Sequence, residues 1–85
     1  MNKEELIKNK YKLYDGYLFQ KKIGDYYINI REYTMSSGWS YTAEIQIDDS
    51  KDSTFNVEIL NIDNLTIKEV ESFFNKISKL RIKDE

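Results

Sequence analysis

Between Tyr26 and Ile47 the chain reads YYINIREYTMSSGWSYTAEIQI, two runs of alternating character joined by Met35-Ser36-Ser37-Gly38. Alternation at a period of two marks a strand with one buried face. Tyr26, Ile28 and Ile30 form the inward set of the first strand, and Trp39, Tyr41, Ala43, Ile45 and Ile47 that of the second. With the turn at Met35–Gly38, Thr34 faces Trp39, and the pairs run Ile30–Ala43, Ile28–Ile45 and Tyr26–Ile47. A slip of one residue would turn all of them to water, so the register is strongly specified.

The same pattern extends to both sides. Gly24-Asp25 is a two-residue hairpin turn, because Gly accepts the positive φ that such turns require. A strand over Tyr17–Ile23 then places Ile23 opposite Tyr26, Lys21 opposite Ile28 and Phe19 opposite Ile30. Lys21 is the one misfit on the inner face and is expected near an edge, where adjacent lysines discourage further pairing. After a polar loop, Asp48 to Ser53, the run Thr54–Leu60 turns Phe55, Val57 and Ile59 inward. Pairing Ile47 with Phe55 aligns Ile45 with Val57 and Ala43 with Ile59.

Helical spacing appears at each end. Asn2 and Glu5 have capping-box spacing, and Leu6, Ile7, Tyr11 and Tyr14 share one face of a helix from Lys3 to Tyr14. Asp15-Gly16 ends it. Near the C-terminus Thr66 and Glu69 form a second capping box, with Leu65 and Val70 as its hydrophobic staple. Ile67, Val70, Phe73, Phe74, Ile77 and Leu80 follow at helical spacing, and Arg81–Glu85 is read as a frayed tail. Truncating Phe73 to Ala is expected to cost about 3–5 kcal/mol. The expected architecture is a two-layer α+β fold, α-β-β-β-β-α. A four-stranded antiparallel meander carries both terminal helices on one face, in a single domain over residues 1–85.

Composition narrows the chemistry. The chain has neither Cys nor His, which removes disulfides, thiolate metal sites, the usual general base and the usual zinc ligand. Thirteen basic and fifteen acidic residues leave a net charge of −2, too little positive charge for a protein held to nucleic acid by phosphate neutralisation. No apolar run approaches the length of a membrane span, and the N-terminus has no signal-peptide core, so a cytoplasmic location is expected. The bias toward Lys, Ile, Asn and Tyr, with no Pro, corresponds to AT-rich codons and points to a low-GC bacterium or one of its phages.

The carboxylates Asp48, Asp49 and Asp52 form the one local acidic cluster. An EF-hand loop starting at Asp48 would need Gly and Glu where Lys51 and Ile59 stand, so this stretch reads as a solvated loop and a candidate contact surface. On the outer face Glu44 meets Glu58, a like-charge pair that a cationic partner would relieve. Tyr27 and Tyr33 flank Arg31, with Gln46 on the adjacent strand. Tyr and Arg are the residue types over-represented at binding hot spots.

The element order resembles that of double-stranded-RNA-binding domains and of the arm-binding domains of phage integrases. The former place a lysine cluster at the start of their last helix; this chain has Thr66-Ile67-Lys68-Glu69-Val70-Glu71. The expectation is therefore a non-catalytic protein with no cofactor and no metal. It would bind a protein partner through Tyr27, Arg31, Tyr33, Glu44, Gln46, Asp48, Asp49, Asp52 and Glu58. An inhibitor from a phage or mobile element, of anti-CRISPR or immunity type, is its sharpest form. The alternatives are a nucleic-acid-binding accessory protein using the same face and a homo-oligomeric assembly protein.

Overall fold

The computed structural model describes residues 1–35, 38–49 and 53–83, with side chains described at 1–33, 40–47 and 56–80. The elements in chain order are α1 (Lys3–Lys8), β1 (Lys12–Tyr14), β2 (Leu18–Ile23), β3 (Tyr26–Met35), β4 (Gly38–Asp49), β5 (Ser53–Ile59) and α2 (Ile67–Lys83). The strands form a five-stranded antiparallel meander in the order β1-β2-β3-β4-β5. The α+β class stands, and the sheet has one strand more than the sequence reading gave it.

That strand comes from the segment read as the second half of the first helix. Asn2 caps α1 by accepting the Glu5 N–H at 2.8 Å, but the helix stops at Lys8. Lys10 takes a φ of 74°, its N–H donates to the Ile7 carbonyl, and the Tyr11 N–H donates to that of Leu6, both at 3.0 Å. This is a Schellman closure with lysine where glycine is usual. Leu6 and Tyr11 are buried, while Ile7 and Tyr14 are exposed, so the four residues do not share a helical face. Asp15 and Gly16 both have positive φ, as an Asp-Gly hairpin turn demands. They return the chain so that Leu13 pairs with Phe19 and Tyr14 with Leu18.

All the other expected pairings hold. They include Ile23–Tyr26, Phe19–Ile30, Ile30–Ala43, Tyr26–Ile47, Thr34–Trp39, Ile47–Phe55 and Ala43–Ile59. The inward side chains expected of Trp39 and Phe55 lie outside the described side chains. β4 runs to Asp49 and β5 begins at Ser53, so the polar loop is shorter than read.

The inner face of β2–β4 buries Phe19, Ile28, Ile30, Ala43 and Ile45, and Leu6, Ile62, Ile67, Val70 and Phe74 close over it. The capping box of α2 is complete: Thr66 N–H to Glu69 Oε1 at 2.9 Å and Glu69 N–H to Thr66 Oγ1 at 3.1 Å. Glu5 does not reach back to its own cap; its Oε2 accepts the Ile67 N–H at 3.2 Å. A carboxylate on α1 thus serves the positive end of α2. The helix presents Ile67, Val70, Phe74 and Ser78 to the sheet and leaves Phe73 at 46% and Leu80 at 67% exposure. The inward assignment of Phe73 and Leu80 is overturned, and helix continues through Arg81–Lys83. Residues 84 and 85 lie outside the described residues.

Polar groups on the inner side are paired. Lys21 is not at an edge, because β1 covers β2. Its Nζ meets Glu71 Oε2 at 3.0 Å and lies 5.4 Å from the centroid of the Tyr11 ring, and the Tyr11 hydroxyl donates to the same carboxylate at 2.9 Å. Glu32 is buried and accepts the Tyr41 hydroxyl at 2.5 Å, with Lys3 Nζ at 3.5 Å.

Candidate protein-binding face

The register assigns the even residues of β2 and β4 and the odd residues of β3 to the face away from the helices. One row across that face runs Lys12, Gln20, Asn29, Glu44, Glu58; its neighbours run Tyr14, Leu18, Arg31, Thr42 and Lys22, Tyr27, Gln46, Asn56. Positive charge therefore gathers toward β1 and β2, and negative charge toward β4 and β5.

Asn29 is the hub. It is only 4% exposed although it stands on the outer face, because long neighbours lie over it. Its Oδ1 accepts Gln20 Nε2 at 2.8 Å, and its Nδ2 donates to Glu44 Oε1 at 3.0 Å and to Gln46 Oε1 at 3.2 Å. Arg31 Nη1 lies 3.6 Å from the same Glu44 oxygen. Glu44 and Glu58 are directly opposed, as the sequence implied, but Arg31 and Asn29 meet the Glu44 charge from within the chain. Among the described residues every buried side-chain nitrogen and oxygen has a hydrogen-bond partner. The face is a fixed polar ladder across three strands.

Aromatic side chains rim the ladder. Tyr33 is 43% exposed, and Tyr14 is exposed beside β2. Lys12 Nζ lies 5.5 Å from the Tyr14 ring centroid and Lys22 Nζ 5.7 Å from that of Tyr27. Of the residues named from sequence, the fold brings together Tyr27, Arg31, Tyr33, Glu44, Gln46 and Glu58 on this surface. Asp48 and Asp49 continue β4 opposite Thr54 and Ser53; their side chains, and all of Asp52, lie outside what is described. Sequence reasoning passed over Tyr14, Leu18 and Gln20 as parts of this face. The usable signal was Asp15-Gly16, as strong a hairpin signature as a helix stop.

Shifted titrations belong to the core. Burial, and then the bond to Glu71, pushes the Tyr11 phenol far up. Burial also raises Tyr26 and Tyr41, with the bond to Glu32 adding to the shift at Tyr41. Tyr11 and Tyr41 stay protonated as structural donors. None of the described helices is long and apolar enough to cross a membrane. Comparison with protein-family models, curated proteins and solved structures gives no match to this chain.

Proposed function

We propose that this protein acts without catalysis, by stoichiometric binding of another protein through the outer face of its sheet. The observation that carries this reading is the Gln20–Asn29–Glu44/Gln46 ladder with Arg31 attached, rimmed by partly exposed tyrosines. Side chains held in place before binding lose little freedom on association, and exposed Tyr beside Arg supplies hot-spot chemistry. Both signs of charge on one face favour a protein over a nucleic acid. A phosphate backbone drawn to Lys12, Lys22 and Arg31 would meet Glu44 and Glu58 on the same face.

The form favoured is an inhibitor encoded by a phage or mobile element of a low-GC bacterium, of anti-CRISPR or immunity type, acting in the cytoplasm. Small size, the AT-rich codon set and the lack of histidine and cysteine support it. Capture from host lysate by tagged wild type is compared with capture by Tyr33→Ala and Glu58→Lys. One protein recovered in stoichiometric amount with wild type and lost with both variants is the expected result. Equal recovery with both variants removes the outer face. Oligonucleotide binding that weakens steeply with salt would replace this reading with the nucleic-acid one.

A further inference from the structure

The two edges of the sheet are built differently. β1 is three residues long and carries Lys12, the usual guards against further pairing. β5 is seven residues long, STFNVEI, with neither Lys nor Pro, and among the described residues no strand pairs with its outer side. Ile62 N–H donates to the Tyr41 carbonyl at 3.0 Å, so the odd residues of β4 direct their backbone groups toward β5. The register Ala43–Ile59 and Ile45–Val57 makes the odd residues of β5 answer them. Asn56 and Glu58 therefore present their N–H and C=O groups outward.

The apolar surface beside this edge is unfinished as well. Glu71 marks the β2 side of α2 through Lys21. The opposite flank, Phe73 and Leu80, therefore lies toward β5, where Val57 and Ile59 are only partly buried.

We infer that β5 pairs antiparallel with β5 of a second copy of this chain, about a two-fold axis through Val57. That register sets Val57 opposite Val57 on the inner side and Asn56 opposite Glu58 twice on the outer side. Each Asn amide then meets a carboxylate, and the outward N–H and C=O groups of these two residues meet their equivalents. An axis one residue further on would oppose Glu58 to Glu58, and like charges directly opposite are destabilising. A two-fold interface must be self-complementary, and this edge is so in the first register. The pairing would make one ten-stranded sheet and set two copies of the outer face side by side.

Sedimentation equilibrium of the full chain, from micromolar to about millimolar concentration, should show a monomer–dimer equilibrium. Glu58→Pro removes an outward N–H and leaves the ladder to β4 intact; it should yield a folded monomer by circular dichroism. Asn56→Glu should weaken the dimer by about fivefold or more, and Asn56→Lys should tighten it, because each change is felt twice. If Glu58→Pro fails to fold, the opposite effects of the two Asn56 variants decide the matter. A monomer at every concentration, or a dimer indifferent to the charge at position 56, would overturn the inference.

Discussion

Phe73 and Phe74 are adjacent in sequence and alike in chemistry, so exchanging each for alanine isolates burial. Phe74 has no exposed surface, while Phe73 is 46% exposed. Fully burying a phenylalanine contributes about 1.5–3 kcal/mol, and the cavity left in a packed core brings the loss on truncation to about 3–5 kcal/mol. Phe73 retains about half of the transfer contribution and leaves no cavity, because water fills the space, so its loss is about 0.7–1.5 kcal/mol. The tilted contact between the rings, 5.7 Å between centroids, is lost in both variants and cancels from the comparison. With a urea m-value near 1 kcal/mol/M, Phe74→Ala should lower the unfolding midpoint by about 3 M and Phe73→Ala by about 1 M. A chain of this size has only about 4–13 kcal/mol to lose. Equal shifts, or a larger one for Phe73, would refute the helix phase and with it the packing of α2 on β3 and β4.

Three further outcomes follow from particular contacts. Lys10→Gly should raise stability by about 1 kcal/mol in urea unfolding, because the left-handed backbone at φ 74° strains a side chain and not glycine; a loss would refute the Schellman closure. Tyr11, Tyr26 and Tyr41 hold their protons more tightly when folded, so their contribution is complete below the unfolded phenol pKa of about 10 and falls as pH rises beyond it. For Tyr11 the slope approaches about 1.4 kcal/mol per pH unit; urea midpoints on either side of that pKa should show it, and Tyr11→Phe should flatten it. Glu58→Lys should stabilise the monomer by about 0.5 kcal/mol, since it replaces a like-charge pair with Glu44 by an opposite one; thermal unfolding that moves down would contradict the β4–β5 register.

The hairpins from β2 to β5 were legible because strict alternation makes each register test its neighbour, and a slip would expose Ile28, Ile45 and Ala43 together. β1 was not legible. Its three residues Lys12, Leu13 and Tyr14 carry too little alternation, Leu6 and Tyr11 happen to fit a helical face, and the chain break rests on a left-handed lysine where a glycine would have announced itself. The C-terminal stripe was legible as a stripe but not in phase. Six apolar residues over Ile67–Leu80 span more of the helix than one sheet face covers, and the contacts of Glu71 with Tyr11 and Lys21 fix which of them turn inward. The same limit applies to the candidate face. Tyr27, Arg31, Tyr33 and Glu44 followed from parity, whereas the role of Asn29 depends on three side chains from two neighbouring strands. Glu44→Lys would break the bond from Asn29 and set a cation beside Arg31. Tyr33→Ala and Glu58→Lys are therefore the cleaner probes of binding.

The proposed protein partner sits on the outer sheet face. Site-specific photocrosslinking in the native host tests it most directly, with a benzophenone side chain placed at Tyr33 and, as the control, at Lys76 on the exposed side of α2. A single discrete heteromolecular adduct is expected from Tyr33 and none from Lys76. No adduct at Tyr33, or equal adducts at both positions, would contradict it.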